Sequence, residues 1–135
     1  MSKKKVILSD WDDTKVDTFN PCVKIYETFT KQNDLPSRSR EEILLQWGKP
    51  IFDINANLWP DRDPEELNTL YWEYVKQNNH TIKPFPYAQS AILELKKRGY
   101  ILGIVSSTTR KNLEHTLSTY FDLPTDTYSL YCYWR

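Results

Sequence analysis

Three apolar residues, Val6-Ile7-Leu8, lead straight into an acidic cluster that begins at Asp10. A short apolar run ending in charge is the pattern of a buried parallel strand whose carboxyl end carries chemistry, and it predicts a strand over Lys5–Ser9. The period then changes. Cys22, Val23, Tyr26, Phe29 and Thr30 fall at helical spacing within Thr18–Asn33, with Pro21 in the first turn, where proline is tolerated. Ser39 and Glu42 form a Ser-x-x-Glu signature, which predicts a capped helix over Ser39–Trp47, broken by Gly48-Lys49-Pro50. Ile51–Leu58 reads as a short amphipathic piece. Asp63 as cap and Pro64 as first residue open a further helix to about Asn78.

Pro84-Phe85-Pro86 reads as a stiff linker. Ala88, Ala91, Ile92 and Leu95 share one face of a helix over Tyr87–Arg98, with Gly99 as its C-cap. Tyr100–Val105 is a second apolar strand and ends in Ser106-Ser107-Thr108-Thr109. A helix over Arg110–Tyr120 and strand-like composition over Tyr128–Trp134 follow. Strands alternating with helices predict a parallel α/β sheet, interrupted by an all-helical insert. The expected division is a core of residues 1–17 and 84–135 and a helical cap of residues 18–83.

Composition narrows the classes. The chain has 135 residues, 39% of them hydrophobic, which suffices for a core. With 18 basic and 18 acidic residues, no net field favours nucleic acid or an anionic membrane. The apolar run after Lys3-Lys4-Lys5 is too short for a signal peptide, and none approaches the ~18 residues of a membrane span. Cys22 and Cys132 have no metal-type spacing, and neither His80 nor His115 lies near a cysteine, which argues against zinc. The expectation is a cytoplasmic protein.

Asp10-Trp11-Asp12-Asp13-Thr14 follows the first strand directly. Carboxylates at i and i+2 converge on one site once the chain turns, and such a pair suits nucleophilic attack by one and proton transfer by the other. A solvated loop with Asp13 or Thr14 capping a helix would use the same residues. An EF-hand is excluded, because its sixth and twelfth loop positions, counted from Asp10, hold Lys15 and Pro21 rather than Gly and Glu. A P-loop is excluded by the lack of glycine nearby. Ser106 and the N–H groups around Ser107 can bind a phosphoryl oxygen at a helix N-terminus, though the same residues serve as an ordinary N-cap.

Taken together these segments resemble the haloacid dehalogenase superfamily. Val6–Thr14 with Asp17-Thr18 is similar to its first motif, and Pro86–Ser107 is similar to the helix–strand unit leading to its second. Gln46-Trp47-Gly48-Lys49-Pro50 is similar to the specificity loop of the helical cap in the phosphoglycolate-phosphatase-like branch. The resemblance implies an incomplete Rossmann-like parallel sheet with an inserted α-helical cap. It implies a Mg²⁺-dependent phosphatase acting on a small phosphorylated metabolite. Asp10 would attack phosphorus and form an aspartyl-phosphate, and Asp12 would move protons. Asp10 and the Asp12 carbonyl would hold Mg²⁺, and Thr14, Ser106 and Ser107 would hold the loop and the phosphoryl group. Gly48, Lys49 and Arg110 are weaker substrate candidates.

Three departures from the family stand out. Asp13 occupies a position that is commonly glycine, and Lys15 one that is commonly apolar. The family also carries a lysine and an acidic metal-binding pair on later segments, beyond Arg135. The expectation is therefore a shortened chain with turnover at least about 10³-fold below that of a longer one. An exposed aromatic edge near its C-terminus would be open to self-association or a partner chain. A non-catalytic relative that binds a phosphorylated ligand is the alternative. A phosphoacceptor receiver domain fits less well, because of the long helical insert.

Overall fold

The computed structural model describes residues 4–78, 81–124 and 126–132. The chain divides into two compact units, residues 1–18 with 82–135, and residues 19–81. In the first unit β1 (Val6–Ser9) and β5 (Tyr128–Cys132) flank β4 (Ile101–Ser106), and both pairs are parallel. The register sets Ser9 beside Ile104 and Ser106 beside Cys132, so β1 and β4 end close together at one carboxyl edge. The linker reading of Pro84-Phe85-Pro86 is corrected: β3 (Lys83–Pro84) pairs antiparallel with β2 (Val16–Asp17). The Phe85 N–H extends that ribbon by donating to the Lys15 carbonyl at 2.9 Å. A two-residue pairing has no periodicity to read, and proline is acceptable at a ribbon this short.

Leu102 and Ile104 are two apart on β4 and therefore share a face. They are buried in one cluster with Ala88 and Ile92 of α5 (Ala88–Lys97), Leu113 of α6 (Arg110–Tyr120), Trp11, Val16 and Phe121. Gly99 ends α5 at φ +83, where its N–H donates to the Lys96 carbonyl and that of Tyr100 to the Leu95 carbonyl. This is a Schellman closure, and it turns the chain directly into β4. Val6 and Leu8 of β1 and Ile101 of β4 are exposed, so the apolar groups open to solvent include aliphatic residues of the first strand. Trp134 and Arg135, at the end of the expected aromatic edge, lie outside the described residues.

The second unit is four helices: α1 (Phe19–Gln32), α2 (Arg40–Gln46), α3 (Ile51–Leu58) and α4 (Pro64–Asn78). Tyr26, Phe29, Ile43, Ile54, Trp59, Leu67 and Tyr71 form its core. Two of the polar tips inside find partners, while the buried Asn55 Nδ2 has none among the described residues. The Tyr26 hydroxyl donates to Asn55 Oδ1 at 2.8 Å, and Trp59 Nε1 donates to the Pro36 carbonyl at 2.9 Å. Ser39 and Glu42 close a reciprocal capping box on α2, and Asp63 Oδ1 accepts from the Glu65 N–H. Among the described residues no helix is long and apolar enough to cross a membrane.

Candidate active site

Trp11 explains why the two carboxylates emerge together. Its indole is buried against Phe121, with ring centroids 5.6 Å apart, and this pins the chain between Asp10 and Asp12. Its carbonyl accepts the N–H groups of Thr14 and Lys15 at 3.2 and 2.9 Å, which curls the chain into a tight turn. Asp13 takes φ +54 in that turn, a left-handed conformation that aspartate tolerates better than most residues. The turn leaves Asp10 and Thr14 exposed, and Asp12 half-buried.

Ser9 and Asp10 line a cleft of about 390 Å³ together with Leu8, Val105, Ser106 and Ser107. Its volume is in the range of small-molecule sites, and it lies at the carboxyl ends of adjacent parallel strands, where open α/β sheets bind ligands. A larger depression of about 560 Å³, lined by Lys83, Phe85, Gln89, Tyr120 and neighbours, gathers no carboxylate. Ser106 is buried, and its Oγ accepts the Thr108 N–H at 3.0 Å, leaving the hydroxyl proton to donate elsewhere. Thr109 caps α6, with its side chain accepting from the Asn112 N–H, so the helix N-terminus follows directly on Ser106-Ser107.

Asp12 is held from two sides. Thr18 Oγ1 donates to Oδ1 at 2.8 Å and Thr108 Oγ1 to Oδ2 at 3.2 Å. Burial raises its pKa above the ordinary 3.8. The two threonine hydrogen bonds oppose the shift, and the charges of Asp10 and Asp13 add to it. A carboxyl group whose proton is retained to higher pH is suited to donating it. Asp10 accepts from the Trp11 N–H through Oδ1 at 2.7 Å.

Lys15 is buried, at 8% exposure. Its ammonium donates to Ser9 Oγ and, at 2.8 Å, to the Asp10 carbonyl. Burial pulls its pKa down, and the Asp10 charge pulls it partly back.

The remaining candidates are engaged elsewhere or belong to the other unit. The Arg110 guanidinium donates to the Leu130 carbonyl at 2.8 Å and pairs with Glu114. In the helical unit Gly48 takes φ +91, and Lys49 Nζ donates to Gln46 Oε1 at 2.8 Å. The sequence assigns no site role to Thr18, although it lies in the stretch similar to the family's first motif, nor to Thr108 or the Lys15–Ser9 pair. The threonine contacts join residues without any periodic relation. For Lys15 a signal existed, a charge where an apolar side chain is usual. Among the described residues no three His, Cys, Asp or Glu side chains gather as a metal cluster.

These features define a protein of α/β architecture with a helical insert and an acidic cleft at the carboxyl edge of its parallel sheet. The sequence profile of haloacid dehalogenase-like hydrolases matches residues 7–123, and the chain belongs to that family. Pyrophosphatase PpaX of Oceanobacillus iheyensis is 28% identical over 106 residues, 78% of this chain and 49% of that protein. The chain thus spans about half the length of the curated relatives it matches. A haloacid dehalogenase-like hydrolase from Bacteroides fragilis shares the fold with a TM-score of 0.81 at 22% identity, covering 96% of this chain and 63% of that one. A predicted phosphoglycolate phosphatase from Haemophilus somnus 129pt gives a TM-score of 0.76 at 19% identity, covering 98% and 63%.

Proposed function

We propose that this chain carries the nucleophile half of a phosphoric monoester hydrolase acting on a small phosphorylated metabolite. The observation that supports it best is the cleft shared by Asp10, Ser106 and Ser107 at one strand edge, with the Asp12 carboxyl oriented by Thr18 and Thr108. In this reading an Asp10 oxygen bonds to phosphorus as the ester P–O bond breaks, and Asp12 gives its proton to the leaving oxygen. Water then attacks the aspartyl-phosphate and passes a proton to Asp12. The acyl-phosphate bond breaks, phosphate leaves and Asp10 is restored. Ser106 and the N–H groups at the start of α6 hold the phosphoryl oxygens. Thr14 steadies the turn, and Gly48 and Lys49 of the helical unit are the candidates for substrate specificity.

The donors fit Mg²⁺, a hard ion that takes oxygen ligands and keeps several waters. The Asp10 carboxylate and the Asp12 main-chain carbonyl would hold it. When bound, it supplies positive charge that offsets the repulsion between carboxylate and phosphate. The names of the relatives point to phosphate esters or pyrophosphate as substrates.

The test is release of phosphate from an aryl phosphate and from pyrophosphate with Mg²⁺, for the wild type and Asp10→Asn. Turnover lost in Asp10→Asn, because an amide does not attack phosphorus, supports the reading. Equal turnover in both puts the chemistry elsewhere. Phosphate binding with no turnover in either favours a binding protein.

A further inference from the structure

Lys15 is a buried cation without a carboxylate in contact. Its ammonium meets two neutral oxygens, the Ser9 hydroxyl and the Asp10 carbonyl, and among the described residues no acidic group lies within 4.0 Å of it. Burying a charge on such terms is costly, and an apolar side chain of similar volume would suit stability as well or better. The cost coincides with a particular place. Ser9 lines the cleft, so the ammonium sits one hydrogen bond behind its wall, and the carboxylate whose charge acts on it is that of Asp10.

We propose that Lys15 is a positioning residue for phosphate recognition, a fixed positive charge behind the Ser9–Asp10 wall that holds the Asp10 main chain and favours a phosphoryl dianion in the cleft. This rests on the phosphatase reading and extends it. A cation in a desolvated position acts more strongly than one in water, because little solvent screens it. Its hydrogen bond to the Asp10 carbonyl also limits how the nucleophile's main chain can shift when an anion enters. The residue acts through Ser9 and Asp10, not by touching the ligand.

Charge and hydrogen bonding are separated by three substitutions. Lys15→Arg keeps the charge, Lys15→Gln keeps hydrogen-bonding capacity without charge, and Lys15→Met removes both while filling the space. Inorganic phosphate is titrated into the full 135-residue chain with Mg²⁺ present and followed by calorimetry, and thermal unfolding is recorded alongside. The expected result is a Kd for phosphate raised about tenfold or more in Lys15→Met and Lys15→Gln, and within about threefold of wild type in Lys15→Arg. The Tm of Lys15→Met should equal or exceed that of the wild type, since apolar replacement of a buried ion is often neutral or stabilising. Stability and phosphate affinity therefore move in different directions, which a merely structural lysine would not produce. Unchanged phosphate affinity in Lys15→Met with a lowered Tm overturns the proposal. Should Lys15→Met fail to fold, the Kd of Lys15→Gln decides in the same way. A wild-type chain that neither binds phosphate nor hydrolyses aryl phosphate brings down the phosphatase reading and this proposal together. Wild-type binding matched by all three variants brings down the role of Lys15 alone.

Discussion

The Thr108 hydroxyl donates to Asp12 Oδ2 at 3.2 Å, a bond between residues 96 positions apart. It ties the loop after β4 to the turn after β1, and it fixes one oxygen of the half-buried carboxyl group while Thr18 fixes the other. A proton donor is useful only in one orientation, so these two threonines set where the proposed acid points.

Thr108→Val should therefore lower kcat by about 10- to 100-fold with little change in KM, since proton transfer typically contributes 10²–10⁴-fold and orientation carries part of it. Steady-state kinetics on an aryl phosphate check this. A rise in KM at constant kcat would mean that Thr108 binds substrate instead.

Asp12→Asn should slow turnover and raise stability at neutral pH. Burial raises the Asp12 pKa, so ionisation is more costly in the folded chain than in the unfolded one. That cost is absent below the ordinary value of 3.8 and grows as pH rises through the higher folded value. The Tm of Asp12→Asn should exceed that of wild type at pH 7, and the gap should close towards pH 3. A constant gap across that range would assign the effect to packing.

Glu42 behaves in the opposite sense in the helical unit. The Ser39 N–H, donating to Oε2 at 2.7 Å, chiefly holds its carboxyl group below the usual range. The stability this contributes is complete above the ordinary carboxylate pKa and is lost as pH falls through the lowered folded value. Glu42→Gln should therefore differ most from wild type near neutrality and least in acid. Ser39→Ala, which removes the other half of the box, should cost about 0.5–2 kcal/mol in chemical denaturation.

Ile104→Ala should cost about 2–5 kcal/mol, because the side chain is fully buried on the central strand and its loss leaves a cavity. Urea unfolding measures it. A loss below about 1 kcal/mol would show that the sheet and its helices collapse around the gap.

Much of the architecture was legible along the chain because it is local. The apolar runs before Asp10 and before Ser106, the Ser39–Glu42 cap, the Asp63-Pro64 start and the Gly99 stop each depend on neighbours within a few residues. They emerge as β1, β4, α2, α4 and the end of α5. Asp10 and Asp12 were legible as candidates because they follow one apolar strand, and Ser106 because it ends another. The sequence by itself thus determined the elements, their order and the residues at the carboxyl ends of β1 and β4. Tertiary structure alone decided that those ends adjoin, that Thr18 and Thr108 grip Asp12, that Lys83–Pro84 pairs with Val16–Asp17, and that the Lys15 ammonium is buried beside Ser9. The reason is physical: periodicity reports which face of an element is apolar, whereas a hydrogen bond or buried charge joining separate segments depends on how the chain closes.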